Sequence, residues 1–139
     1  MIRIFKIENG DIFSKEIKGD LESLQKEVGG SEIITLCPYW PELDEIGIDL
    51  YADDNGMLVE SPKYSLVEVD DKTGEIKYGV FGNVIFAGHD DDGNTIGLTD
   101  EQMAFITDHL KIAGYARYGN DRSTMSICYK FDFGGEHNE

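Results

Sequence analysis

Positive charge is what this sequence has little of. Its 139 residues carry 12 Lys and Arg against 28 Asp and Glu, a formal net charge of −16. Contacts to phosphate need cations, so direct nucleic-acid binding is not expected. The shortage is uneven. From Cys37 to Pro62 no base accompanies Glu42, Asp44, Glu45, Asp49, Asp53, Asp54 and Glu60. From Tyr78 to Leu110 none accompanies Asp90, Asp91, Asp92, Asp100, Glu101 and Asp108. Cysteine is scarce too. Cys37 and Cys128 are far apart and lack metal-type spacing, so two buried free thiols are expected rather than a disulfide. No apolar run reaches membrane-spanning length. The opening MIRIFKIENG alternates like a strand and lacks a signal-peptide core, which makes a reducing cytoplasm the expected compartment. No internal repeat is visible.

What is present reads as alternating short strands, turns and two helices. Ile2 to Ile7 predicts a strand, and Asn9-Gly10 a tight turn into a partner carrying Ile12, Phe13 and Ile17. Asp20 is placed to cap a helix whose Leu21, Leu24 and Val28 share a face, ending at Gly29-Gly30. Ile33 to Leu36 predicts a strand, and Pro38 to Leu43, with the single Trp, a loop held by two prolines. Ile46 to Tyr51 predicts a strand turning at Asn55-Gly56 into Met57 to Val59. The segment 59–70 stays open between extended and helical readings, and Ile76 to Phe81 leads out of the Asp70 to Gly74 turn.

Val84 to Ala87 is an unbroken apolar run between Gly82 and Gly88, which predicts a strand covered on both faces. His89 to Asn94 is a turn. Thr99 and Gln102 then form a capping box, opening a helix with Met103, Ile106 and Leu110 on one face. Gly114 to Tyr118 and Ser123 to Phe133 predict two strands, the second with Ile127, Tyr129, Phe131 and Phe133 on its apolar side. The fold class expected is α+β, a mixed, mostly antiparallel sheet with two helices packed on it, in one domain over 1–133 and a frayed tail at 134–139.

Four blocks occur together: LESLQKEVGG (Leu21 to Gly30), DLYADDNGML (Asp49 to Leu58), GNVIFAG (Gly82 to Gly88) and LTDEQ (Leu98 to Gln102). Their order and content resemble the domain-of-unknown-function family DUF3846. The resemblance covers about 1–110 and departs from the family at Val59 to Pro62, while the strand pair at about 113–133 lies outside it. It implies a small protein of phages and mobile elements working inside a bacterial host. It transfers no catalytic residue.

The residues can be read for several chemistries. Counting from Asp90, oxygen ligands fall at the first, third and fifth positions of a calcium loop, with Glu101 at the twelfth. Thr95 stands where that loop needs Gly and a strand precedes it, so calcium is not expected. His89, His109 and His137 lack zinc spacing, and no nucleophile elbow or phosphate loop is present. No catalytic residue, metal or cofactor is therefore expected.

The acids support an inhibitor reading. Glu42, Asp44, Glu45, Asp53, Asp54, Asp90, Asp91 and Asp92 would imitate the phosphate rows of a duplex and occupy the basic channel of a host defence nuclease, an anti-CRISPR or anti-restriction role. Tyr39, Trp40 and Tyr51 stand beside them as aromatic anchors, with Trp40 equally suited to cap the core. The other class is a nucleotide sponge. There Arg117, Arg122 and Lys130 pair with phosphates and Tyr115 stacks on a base. A regulatory protein with a solvated acidic face is the plainest reading.

Overall fold

A computed structural model describes residues 1–29, 33–35, 40–54, 61–70, 72–120 and 122–133, with backbone alone at 33–35. Its first sheet grows from the hairpin of β1 (Ile2–Glu8) and β2 (Asp11–Ile17), paired from Ile2↔Ile17 to Glu8↔Asp11. Asn9 and Gly10 make the reversal with φ of 53° and 86°. Such left-handed values suit Asn and Gly, and they match the strand twist. Helix α1 (Leu21–Val28) follows, with Asp20 accepting from Ser23 N–H at 3.0 Å and Gly29 closing it at φ 85°. β3 (Ile33–Thr35) comes next.

The stretch expected as a proline-held loop contains a short helix instead, α2 (Pro41–Glu45). Pro41 stands in its first turn, where a missing N–H costs nothing because that donor has no helical partner. β4 is Ile48–Asp53, two residues later than expected, because α2 consumes Glu45 and turns at Ile46. The Asn55-Gly56 turn and its return through Val59 lie outside the described residues. Tyr64–Val69 resolves as strand β5, and Ile76–Phe81 as β6. β7 (Val84–His89) and the two-residue β8 (Thr95–Ile96) precede α3 (Asp100–His109), which opens on the expected Thr99–Gln102 capping box. β9 (Leu110–Ala116) begins directly at the end of α3, and a 3-10 turn at Arg122–Thr124 leads to β10 (Ser126–Phe131).

The α+β class holds, and the strands divide between two sheets. The first is antiparallel in the order β2-β1-β7-β4-β3, with β8 also on β7. The second runs β6-β5-β10-β9 and is mixed, because β10 lies parallel to β5 at Tyr129↔Leu66. Among the described residues there are three α-helices, the third being α2, which the sequence hid in a proline loop.

β7 is the middle of the molecule. Val84, Ile85, Phe86 and Ala87 are each 0% exposed, as an apolar run covered on both faces requires. Ile85 and Ala87 meet α1 through Leu24 and Val28, together with Ile4 and Ile17. Val84 and Phe86 face the second sheet and α3, together with Leu50, Leu66, Ile106 and Tyr129. Phe86 meets Phe131 edge-on at 5.9 Å, and Tyr129 donates its hydroxyl to Gly10 O at 2.6 Å, joining the two sheets. β10 thus supplies the core from the strand pair beyond the family-like blocks. Cys128 is buried and free, and burial pushes its thiol up from the ordinary value. Cys37 lies outside the described residues.

Candidate functional site

The acidic segments meet at one end of the first sheet. Pairing of Ile48 with Gly88 brings the start of β4 beside the end of β7, and His89 N–H donates to Gly47 O at 2.9 Å. From the other side, Gln102 of α3 donates to the carbonyls of Ile46 and Gly47 at 2.8 and 3.1 Å. Asp44, Glu45 and Asp49 are thereby gathered with Asp90, Asp91 and Asp92, and the first turn of α3 adds Asp100 and Glu101. Asp44, Glu45, Asp91, Asp92, Asp100 and Glu101 are exposed, while Glu42, Asp49 and Asp90 are half-buried. Arg3 answers one of these charges, bonding Asp100 at 2.8 Å.

Asp90 has local work. One oxygen accepts from the N–H groups of Asp92 and Asn94 at 3.0 and 2.9 Å, and the other from the Asn94 amide at 3.2 Å. The bonds from Asn94 hold its carboxyl below the usual range. It is a turn-former.

His89 is the residue at the centre. Its Nδ1 lies 2.9 Å from Asp49 Oδ1, and its Nε2 lies 3.7 Å from Asp44 Oδ1. The Tyr51 hydroxyl donates to Asp49 Oδ2 at 3.2 Å and lies 3.4 Å from Thr95 Oγ1. One ligand atom from each of Asp44, Asp49 and His89 falls within 4.8 Å of the other two. Sequence spacing missed this grouping, because its members come from α2, β4 and β7 and no motif spans them. The available signal was register: odd residues of β4 and of β7 share the α1 face of the sheet.

Asp53 and Asp54 stand at the far end of β4. Five residues of strand separate Asp53 from Ile48, about 16 Å, so these two acids do not join the cluster. Trp40 requires a correction. Its side chain is 4% exposed, set edge-on against Tyr78 at 5.8 Å and near Phe131 at 6.3 Å. It is the core cap that its prolines allowed, not an exposed anchor, because an indole buries more apolar area inside than any surface contact offers. Tyr51 is half-buried against Asp49 and Thr95, and Tyr39 lies outside the described residues.

The basic set near the C-terminus is divided. Lys130 pairs across with Lys111, and Tyr115 with Ile127. Ile127, Tyr129 and Phe131 face the core, so Tyr115 is on their side of the sheet and Lys130 on the opposite one. Arg117 and Arg122 are exposed, one at the start of the β9–β10 connection and one within it, and Tyr118 N–H pins that connection by donating to Thr124 Oγ1 at 2.7 Å. Tyr118 touches Phe81, itself stacked on Tyr64, giving an aromatic row that was not expected from sequence.

Among the described residues no helix is long and apolar enough to cross a membrane. No curated protein and no solved structure matches the chain. A family profile does match, over residues 2–111, which takes in the first sheet, the acidic end and β5, β6 and α3. The chain belongs to the domain-of-unknown-function family DUF3846.

Proposed function

We propose that the protein is a non-enzymatic acidic decoy, which binds a host defence nuclease or another nucleic-acid-binding protein by occupying its basic surface. The observation that carries this reading is the convergence of Asp44, Glu45, Asp90, Asp91 and Asp92 on one end of the first sheet, joined there by Asp100 and Glu101. A net charge of −16 adds long-range attraction to a basic partner and speeds encounter. Exposed carboxylates on turns and a helix start keep their charges without burial. In this role Asp44, Glu45, Asp91 and Asp92 make the direct contacts, with Glu42 and Asp90 behind them. Asp53 and Asp54 serve only a partner long enough to reach along β4. Packing of Trp40 in the core leaves the contact to charge, and such contacts weaken within a Debye length of about 10 Å at 0.1 M salt.

The test is capture of partners from host-cell extract at low and high salt, followed by inhibition assays on any captured nuclease. Changing Asp44, Asp91 and Asp92 together to Lys should abolish capture and flatten the salt dependence. The melting temperature should stay level or rise, since self-repulsion falls. Full inhibition by the triple variant would overturn the decoy. The other reading, a nucleotide sponge, draws on the exposed Arg117 and Arg122 beside the Tyr118 row. A nucleotide co-purifying in place of a protein, and lost on changing both Arg residues to Ala, would favour it.

A further inference from the structure

We propose that His89 and Asp44 bind a divalent first-row transition-metal ion of the zinc class, with Asp49 as the buttress of the imidazole. Three independent elements bring these side chains together, and the orientation of the ring is fixed twice. Backbone pairing through Gly47 O sets the position of His89, and Asp49 Oδ1 at 2.9 Å holds Nδ1. A carboxylate partner on Nδ1 assigns the ring proton there. The Nε2 lone pair then points away from Asp49, towards Asp44. Asp49 is itself steadied through its other oxygen by Tyr51, and Tyr51 lies against Thr95.

The Nε2 side holds Asp44 at ion-pair range without a direct hydrogen bond. At 3.7 Å, Nε2 and Asp44 Oδ1 are beyond hydrogen-bond distance. The same separation is spanned by one ion with both ligands about 2.1 Å away, at an angle of about 120°. Side-chain exposure grades the site from a held base to an open mouth: 18% for Asp49, 24% for His89 and 63% for Asp44. Asp44 can therefore swing to tighten the angle, and water completes the coordination. An imidazole ligand selects zinc, cobalt or nickel over calcium and magnesium, which prefer all-oxygen sites. Asp90 stands outside the grouping, and its oxygens serve the adjacent turn.

This inference does not depend on the decoy reading, because it concerns a small cation and needs no partner. The experiment is calorimetric titration of the full chain with Zn²⁺, repeated with Co²⁺ to read its visible absorption. The wild type should take up one ion per chain. H89Q, which leaves the carboxylates in place, should abolish that event, and D44N should weaken it with no loss of melting temperature. D49N should weaken it by about 10- to 100-fold, the usual effect of removing a partner behind a ligating histidine. D91N/D92N is the control for diffuse attraction to the acidic end and should leave affinity unchanged. The proposal is overturned if H89Q binds Zn²⁺ like the wild type. It is also overturned if D91N/D92N weakens binding as much as H89Q, or if the wild type takes up no stoichiometric ion.

Discussion

Replacing Glu27 is the sharpest perturbation of the fold. This carboxylate, on the inner face of α1, accepts from Lys6 Nζ at 2.9 Å and from Lys15 Nζ at 3.1 Å. Lys6 also reaches Glu8 at 3.0 Å, yet its own side chain is only 7% exposed, so its ammonium depends on these partners for charge compensation. Burial pushes Glu27 upward, but the bonds and charges of Lys6 and Lys15 outweigh it and hold the group below its ordinary 4.5. For Lys6 burial pulls downward, and the bonds to Glu27 and Glu8 outweigh it and hold the group above 10.5. Glu27→Leu removes the shared acceptor and leaves Lys6 with Glu8, which is 38% exposed. Breaking a buried pair in this way costs about 3–5 kcal/mol, a large part of the roughly 5–15 kcal/mol that holds an ordinary domain together.

Lys6→Met alone should cost less, since Glu27 keeps Lys15. The double variant should recover most of the loss, because apolar groups of similar volume replace the pair and Lys15 remains solvated. Urea denaturation of the four proteins closes the cycle. The pH dependence follows from the same bonds. The contribution of Glu27 is complete above its unfolded value and is lost as pH falls through the lower folded one; that of Lys6 is complete below 10.5 and is lost as pH rises beyond it. The double variant should therefore lose less stability than the wild type between pH 5 and pH 3. A double variant no more stable than Glu27→Leu alone would refute the argument.

Two further changes probe the core. Trp40→Ala should destabilise by about 3–5 kcal/mol in urea, and unchanged stability would mean that the indole does not cap the sheets. Gly79→Ala places a methyl group into Tyr64 Cε1, where the ring crosses β6 on its way to Phe81. It should cost about 1–3 kcal/mol through overpacking, read as a lower melting temperature, and a neutral result would show that Tyr64 is free to move aside.

Legibility in this sequence follows the range of the interaction. The Asn9-Gly10 hairpin, the caps at Asp20 and Thr99, and the twice-covered strand Val84 to Ala87 were all readable, because each is decided by neighbours within a few residues. The alternation that put Ile127, Tyr129 and Phe131 on one side of β10 was readable for the same reason. Helix α2 was not, since its five residues begin on one proline just after another and carry too few apolar positions to show a period. The split into two sheets was decided by β5 choosing β10 as a parallel partner across more than sixty residues, a choice no local pattern encodes. The same holds for function. Composition determined that the protein is strongly acidic and where its bases are missing. Only the pairing of β4 with β7 decided that Asp44, Asp49 and His89 meet and that Asp53 and Asp54 do not, because strand register, not sequence distance, sets which side chains become neighbours.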